Sequence, residues 1–260
     1  MPGKRRVMRA ARVDLIEEEI LSRQNITLEE ICREFDISMS TARRDLDEII
    51  KRGKVEKVYG GVKAISTQPE RKPLLSFEER DIVNLEEKKY IGRQAAALIS
   101  PGDVIFIDTG STCVHILESI GSTPCTVITN SLWVALKASY CEKVELIITP
   151  GRLNRKTGSF TGHDVLPYLE SINIKMAFMA ATGVSARYGC TNASEDEYII
   201  KRTVCRNVYR IYLLVDHDKI NKVSMYTYAD MSMLSGIITD SEPEKEFTEY
   251  CKEKDITLIF

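Results

Sequence analysis

Residues 26–62 constrain the fold of this chain more than any other part of it. They read ITLEEICREFDISMSTARRDLDEIIKRGKVEKVYGGV, two stretches with apolar residues at helical spacing on either side of Asp36-Ile37-Ser38. Thr27 and Glu30 have the spacing of a capping box for the first helix, and Ser38 can cap the second. The β-rich segments that flank Gly60-Gly61 predict a hairpin with these two glycines as its turn.

The pattern predicts a further amphipathic helix before this segment, with Val13, Ile16, Ile20 and Leu21 on its apolar face. Three helices followed by a hairpin predict a winged helix-turn-helix domain, which places one helix in a DNA groove. The open face of the second capped helix carries polar side chains that can reach bases and phosphates. We expect DNA contacts from Ser38, Ser40, Thr41, Arg43, Arg44, Lys57, Tyr59 and Gly60.

The basic groups of the N-terminal region gather where DNA contact is expected. Lys4, Arg5, Arg6, Arg9 and Arg12 form an arm without acidic residues, which we expect to contact phosphates. The whole chain has a formal charge of −2 at pH 7, but a local positive field is sufficient for DNA binding.

These features resemble the DNA-binding domain of the DeoR family of bacterial transcriptional regulators. The resemblance rests on the capped second helix, the run S-x-S-T-A-R-R-D-L at residues 38–46, and the wing that ends in Gly-Gly. It covers roughly the first 65 residues. Lys57 and Tyr59 stand where the family prefers Arg and His. We place a DNA-binding domain at residues 1–65 and a linker at residues 66–76, a polar stretch with two prolines.

Beyond the linker, apolar β-branched strands alternate with helices, which predicts an α/β domain with a largely parallel sheet at residues 77–260. The expected strands are Val104–Ile107, Thr126–Thr129, Val144–Thr149, Ala177–Ala181, Tyr209–Val215, Gly236–Thr239 and Thr257–Phe260. The expected helices are Leu85–Ile99, Thr112–Ser119, Leu132–Ser139, Asp164–Ser171, Ser194–Asn207 and Pro243–Lys254.

Polar groups follow several of these strands, at the sheet edge where parallel sheets bind ligands. The motifs D-x-G-[ST]-T, T-N-S, G-x-[GST], E-x-x-x-K and D-x-x-K resemble those of the DeoR effector domain, so the resemblance runs almost the full length. It implies a fold like that of sugar-phosphate isomerases and CoA-transferases, and a phosphorylated sugar as effector. The effector-binding residues that it implies are Asp108, Gly110, Ser111, Thr112, Asn130, Ser131, Gly183, Glu197, Lys201, Asp216 and Lys219.

Bulk composition excludes several classes of protein. The chain has no run of 18 apolar residues and no apolar segment behind its basic start, so we expect neither a membrane span nor a signal peptide. Seven cysteines without a C-x-x-C motif favour reduced thiols and a cytoplasmic protein. Three scattered histidines have no zinc spacing, so we expect no metal and no cofactor.

Together with the DeoR resemblance, these features predict a transcriptional repressor that binds operator DNA and acts as a dimer or tetramer. The resemblance implies that a phosphorylated sugar controls it. The rival hypothesis is an isomerase-like enzyme with a DNA-binding domain, in which Asp108 or Glu197 abstracts a proton. Plainer interpretations of single motifs also stay open. Some winged helices bind proteins, Arg43 can pair with Asp47, and Glu197 can form an ordinary surface pair with Lys201.

Overall fold

The computed structural model describes residues 9–23, 25–53, 55–58, 60–64 and 76–260. The chain divides into two compact units, Met1–Pro69 and Glu70–Phe260. Residues 66–75 of the predicted linker, residues 66–76, lie outside the described residues, so the proposed domain bounds stay a prediction.

The first unit is a small helical domain with a three-stranded sheet in the order β1-β3-β2. Its elements are α1 (Arg9–Arg23), β1 (Asn25–Thr27), α2 (Leu28–Phe35), α3 (Met39–Lys51), β2 (Val55–Val58) and β3 (Gly61–Ala64). The predicted capping box is present, since Glu30 N donates to Thr27 Oγ1 at 3.2 Å and Thr27 N donates to Glu30 Oε2 at 2.8 Å. Side chains of all three helices and of the strands share one apolar core. The predicted helix-turn-helix fold is confirmed.

The wing differs from its predicted form in one respect. Val58 pairs with Gly61, so the turn lies one residue earlier than Gly60-Gly61, and Gly61 belongs to β3. The cause is β1, which the sequence did not predict and which pairs with β3 from the other side. A Cβ at Gly61 would lie 2.3 Å from Ile26 O, so glycine is needed there for strand contact. Gly60 has φ +81° and supplies the turn.

The predicted basic arm is wrong for two of its five members. Arg9 and Arg12 belong to α1, where they pair with Asp45 of α3. Arg12 Nε donates to Asp45 Oδ2 at 2.8 Å, and Asp45 is only 1% exposed. These cations therefore compensate a buried carboxylate. Lys4, Arg5 and Arg6 lie outside the described residues.

The second unit is built on a seven-stranded parallel sheet in the order β15-β14-β12-β9-β4-β5-β6. Its strands are β4 (Val104–Ile107), β5 (Cys125–Thr129), β6 (Val144–Ile148), β9 (Ile174–Ala180), β12 (Val208–Leu214), β14 (Gly236–Ile238) and β15 (Thr257–Ile259). The helices are α4 (Phe77–Asp81), α5 (Leu85–Ala96), α6 (Ile116–Ser119), α7 (Leu132–Ala138), α8 (Val165–Glu170), α9 (Glu195–Asn207) and α10 (Lys245–Glu253). The predicted α/β class is confirmed.

Successive residues of the central strands pack into two different cores, so helices cover both faces of the sheet. Ile105 belongs to one core and Phe106 to the other. The chain enters the sheet at β4, adds β5 and β6 on one side, then returns to the other side of β4 with β9 and β12. The strand order thus reverses between β4 and β9, the position where open α/β sheets leave a crevice at their carboxyl ends.

Some elements of the second unit were not predicted. They are α4, a hairpin of β7 (Arg152–Asn154) and β8 (Ser159–Thr161), and a small antiparallel sheet of β10 (Gly183–Ser185), β11 (Gly189–Asn192) and β13 (Tyr226–Ala229). The predicted helix Thr112–Ser119 is instead a 3-10 turn, Cys113–His115, followed by the four-residue α6. So short an element contributes little helix dipole at its start.

A buried ion pair holds α9 against the end of β4. Lys201 Nζ donates to Asp108 Oδ2, and at 3.1 Å to Ala180 O, while Ala180 N donates to the same Asp108 oxygen at 2.9 Å. Asp108 and Lys201 are 1% and 4% exposed. Burial by itself lowers the pKa of Lys201, but the carboxylates of Asp108 and Glu197 outweigh it and raise that pKa. The pair fixes the ends of β4 and β9 relative to each other.

We predict that Gly61→Ala destabilises the first unit, because the new Cβ meets the backbone of β1. Overpacking of this kind costs about 1–3 kcal/mol. Urea unfolding of the full chain, followed by far-UV circular dichroism, measures the loss. Lys63→Ala, at an exposed position of the same strand, is the matched control. Equal midpoints for the two variants would show that β1 does not approach Gly61 closely.

We predict that Lys201→Met destabilises the second unit by about 3–5 kcal/mol, because it leaves the Asp108 carboxylate buried without its cation. The double variant Asp108→Asn with Lys201→Met should recover part of this loss. Lys245→Met breaks the exposed pair with Glu249 and should change stability by less than about 1 kcal/mol. Denaturant midpoints for the three variants check the order, and a harmless Lys201→Met would refute it.

Candidate functional site

The exposed face of α3 presents two arginines that have no carboxylate partner among the residues the structure describes. Ser38 Oγ accepts from Thr41 N at 3.3 Å and lies 2.9 Å from Thr41 Oγ1, so Ser38 caps the helix. Ser40, Arg43 and Arg44 are exposed. Within the described residues neither arginine forms an ion pair, so the alternative pairing of Arg43 with Asp47 is not made. Both guanidinium groups are available to bases or phosphates.

A groove of about 710 Å³ separates α3 from the wing. Arg43 lines it from the helix, and Lys57 and Gly60 line it from the wing. These three predicted DNA-contact residues therefore border one concave surface. Lys57 is exposed, and Tyr59 lies outside the described residues.

The second unit has a pocket of about 130 Å³ where the strand order reverses. Five of the predicted effector residues line it: Gly110, Ser111, Thr112, Asp216 and Lys219. Eight further residues line it that the sequence did not single out as ligand contacts: Arg80, Val83, Lys88, Ala180, Ala181, Thr182, Leu214 and Val215. Ala181 and Thr182 carry no charge, so this wall of the pocket is uncharged.

Cations outnumber carboxylates around this pocket. Arg80, Lys88 and Lys219 carry three positive charges and Asp216 one negative charge, which gives a net charge of +2. Asp216 is 1% exposed, and its Oδ1 is buried without a hydrogen-bond partner in the structure. Burial raises the pKa of Asp216 and lowers the pKa of Lys88. An anionic ligand that also carries hydroxyl groups fits this combination of charges and free acceptor.

The loop after β4 approaches the end of β9 very closely. A Cβ at Gly110 would lie 2.1 Å from Ala180 Cβ, so Gly110 is needed for packing between the two strand ends. Gly110 lines the pocket, as expected of an effector-binding residue, and it also has this packing role, which the sequence did not predict. In the described part of the chain, the N–H groups of Ser111 and Thr112 donate to no protein acceptor. They remain available to an anion.

Six predicted effector residues lie outside the lining of this pocket. Asp108 and Lys201 form the buried pair beside it, so Lys201 does not form an ordinary surface pair with Glu197. Ser131 caps α7 through a 3.3 Å bond from Val134 N, and Gly183 packs on the backbone of Lys222. Asn130 Oδ1 and Glu197 Oε1 are buried without hydrogen-bond partners.

Asn130 follows β5, and Asp108 follows β4. Since Ile107 pairs with Thr129 in the parallel sheet, these two residues lie side by side at the same sheet edge. The structure thus brings Asn130 next to the pocket-forming loop, although Asn130 does not line the pocket itself. In the residues that the structure describes, no cluster of His, Cys, Asp and Glu could hold a metal, and no helix is long and apolar enough to cross a membrane.

Comparison with known proteins identifies both units. The DeoR-like helix-turn-helix domain matches residues 12–68, and the DeoR C terminal sensor domain matches residues 83–241. The HTH-type transcriptional regulator IolR of Bacillus subtilis is 38% identical over 96% of this chain and 99% of its own length. The HTH-type transcriptional repressor GlcR of the same species is 31% identical, over 90% and 89%.

The lactose phosphotransferase system repressor of Streptococcus mutans is 29% identical over 94% of this chain and 97% of its own. A solved ribose 5-phosphate isomerase from Methanocaldococcus jannaschii aligns at 20% identity over 54% of this chain and 56% of its own. Its TM-score is 0.41, so we draw no functional argument from it. The two family domains and the relatives that match along the whole chain establish that this protein belongs to the DeoR family of helix-turn-helix transcriptional regulators.

Proposed function

We propose that this protein is a repressor of a carbohydrate operon that releases its operator when a phosphorylated sugar binds the pocket between β4, β9 and β12. The observation that carries the proposal is the pocket's net charge of +2 at the strand-order reversal. The other unit exposes Arg43 and Arg44 on α3, neither of which forms an ion pair within the described part of the chain. Relatives named as repressors support the direction of control.

For DNA, Arg44 and Ser40 on α3 are the proposed base contacts, with Thr41 and Arg43 beside them. Lys57 and Gly60 in the wing, together with Tyr59 and the basic residues before α1, are the proposed phosphate contacts. Ser38 acts on the same surface by capping α3. One recognition helix reads few base pairs, so we propose a dimer or tetramer that binds two half-sites in the cytoplasm.

For the effector, Lys219 and the N–H groups of Ser111 and Thr112 are the proposed phosphate ligands. A dianionic phosphate would neutralise the excess charge of the pocket. Asp216 Oδ1 would accept a hydrogen bond from a sugar hydroxyl, and Asn130 Oδ1, which follows β5, is a further acceptor at the same sheet edge. Glu197 Oε1, in the first turn of α9, is another buried acceptor without a hydrogen-bond partner among the described residues. The pocket is small compared with the ~300–1,000 Å³ of ordinary ligand sites, which suits one charged group.

The enzyme hypothesis is not favoured. Of its two candidate bases, Asp108 accepts hydrogen bonds from Lys201 and from Ala180 N, and Asp108 and Glu197 both lie outside the pocket lining. A general base must reach the proton that it abstracts, and neither carboxylate lines the pocket. The relatives that match along the whole chain are named as transcriptional regulators.

We predict that Arg44→Ala weakens binding to the preferred DNA sequence by about 1–3 kcal/mol and flattens sequence preference, because a base contact is lost. Sequences selected by the parent protein from a random duplex library supply the DNA for gel-shift titration. Arg44→Lys keeps the charge and should lose preference while the salt dependence stays. Arg23→Ala, an exposed and ion-paired arginine of α1, is the control. Unchanged preference in Arg44→Ala would place the base contact elsewhere.

We predict that Lys219→Ala removes most of the effector response without changing affinity for the selected DNA, because the DNA-contact residues lie in the other unit. The experiment measures DNA release against the concentration of glucose 6-phosphate, fructose 6-phosphate and ribose 5-phosphate. Lys222→Ala, an exposed lysine outside the pocket, is the matched control. A parent protein that responds to no member of a broad sugar-phosphate panel would refute the effector class, whatever the variant does.

A further inference from the structure

The two outer strands of the large sheet differ in how well they are protected against pairing with a further strand. β15 is three residues long and follows a charged run at residues 252–255. β6 is five residues long, reads VELII, and contains no lysine, proline or glycine. No residue of β6 is buried. Proteins usually prevent edge pairing with short strands, lysine or proline, so β15 is a protected edge and β6 is an open one.

The two ends of β6 show which of its backbone groups are used within the sheet. Before the strand, Cys125 N donates to Lys143 O at 3.4 Å. After the strand, Thr149 N donates to Thr129 O at 2.9 Å. In a parallel pair, every second residue of a strand bonds to the same neighbour through its N–H and its C=O. The residues of β6 that bond to β5 are therefore residues 145 and 147.

The even-numbered residues of β6 direct their backbone groups toward the free edge. Leu146 and Ile148 each present an N–H and a C=O there. Val144 presents its C=O, because its N–H donates to Cys141 O at 3.0 Å. In the part of the chain that the structure describes, no strand pairs with β6 on this side. A row of unpaired donors and acceptors on an apolar strand is a template for another strand.

Exposed apolar side chains lie next to this edge. Val144 and Leu146 pack into the same core as residues of α7, so α7 covers the sheet face to which they belong. Ile148 belongs to that face as well and is 45% exposed. Leu136 of α7 and Tyr140, which follows α7, are 50% and 80% exposed. We define Leu136, Tyr140, Val144, Leu146 and Ile148 as the β6 surface.

We propose that the β6 surface binds the same surface of a second copy of this chain, with the two β6 strands antiparallel. A two-fold axis perpendicular to the sheet gives this arrangement, and the contact closes as a dimer because each copy offers the same groups. Both α7 helices then lie on one side of a continuous sheet. The inference rests on the proposed dimer or tetramer, which DNA binding through two half-sites requires, and it names the surface where two copies meet.

One register uses all the outward groups except Ile148 O. It places Leu146 opposite Leu146 of the second copy, and Val144 opposite Ile148 of the second copy. The two Leu146 residues then exchange their N–H and C=O groups, and each Ile148 N donates to Val144 O of the other copy. A shift of the strands in either direction leaves more of these groups unpaired.

The distribution of charge suits a second copy as the occupant. Glu145 is the only charged residue of β6, it accepts from Thr126 Oγ1 at 3.1 Å, and in this register it lies opposite Ile147 of the second copy. Glu142 and Arg152 flank the strand, are exposed, and form no ion pair with any residue that the structure describes. Antiparallel pairing brings the start of one β6 beside the end of the other, and so Glu142 toward Arg152 of the second copy.

The first experiment measures self-association of the full chain by light scattering and by sedimentation over a concentration series. Ile148→Pro removes an outward N–H and should raise the dissociation constant about tenfold or more, because each dimer loses a hydrogen bond at both ends of the contact. Tyr140→Glu should also weaken association, since it places a charge in the apolar contact. Tyr209→Glu, at a residue of β12 that is 81% exposed, is the matched control and should associate like the parent.

Charge reversal tests the antiparallel direction of the two strands. Glu142→Arg and Arg152→Glu should each weaken association severalfold, and the variant that carries both changes should recover toward the parent. Single variants without effect, or a double variant without recovery, would refute this register.

Hydrogen exchange tests the contact at single amides and does not depend on whether Ile148→Pro folds. The amides of Leu146 and Ile148 should exchange slowly in the associated parent and rapidly in Tyr140→Glu at concentrations where it is dissociated. The amide of Ile147, which bonds to β5, should stay slow in both. Rapid exchange of Leu146 and Ile148 in an associated parent would overturn the proposal.

The outcomes separate this inference from the proposed function. If the parent is a tetramer and Ile148→Pro and Tyr140→Glu are dimers, the β6 surface is one of its interfaces. If the parent is an oligomer and both variants associate like it, two copies meet elsewhere, so the inference is wrong and the proposed function stands. A parent that stays monomeric at every concentration refutes both this inference and the proposed oligomer. DNA release by sugar phosphates then tests the effector proposal separately.

Discussion

The reversal of strand order between β4 and β9 is the constraint on which the second unit depends. It places the loop after β4 against the end of β9, and the contact is so close that residue 110 must be glycine. The buried pair of Asp108 and Lys201 then fixes both strand ends through the backbone of Ala180. Burying two charges costs free energy unless they are paired with each other, as Asp108 and Lys201 are. Because both also bond to the backbone of Ala180, which lines the pocket, the pair stabilises the pocket wall.

The regular elements of the sheet could be predicted because each strand of the large sheet is a short apolar run bounded by polar residues. The small strands could not be predicted, since three-residue pieces such as β1 and β7 carry no measurable periodicity. Gly61 illustrates the consequence. Because β1 was not predicted, Gly61 was assigned to the turn of the hairpin, whereas in the structure it lies in β3 and allows β1 to approach closely.

The candidate pocket was predictable in part for the same reason. Gly110, Ser111, Thr112, Asp216 and Lys219 follow strands, and parallel strands bring their ends together. Arg80 and Lys88 come from helices that precede the first strand of the sheet, and no local pattern shows where such helices will pack. The family resemblance implied that Asp108 and Lys201 bind the effector, whereas the structure shows them as a buried pair outside the pocket lining. Their burial depends on the packing of α9, which only the three-dimensional structure supplies.

Charge compensation has opposite outcomes in the two units. In the first unit, Arg9 and Arg12 neutralise Asp45, so their number overstates the positive charge offered to DNA. Arg43 and Arg44 on α3 are exposed and form no ion pair within the described residues. In the pocket of the second unit, one partly unpartnered carboxylate faces three cations, and the excess positive charge has no compensating group among the lining residues. Like charges gathered around a small cavity repel each other, so binding an anion there lowers the free energy of the occupied state relative to the empty one. Such binding shifts a regulator between two conformational states only to the extent that the two states differ in their affinity for the anion.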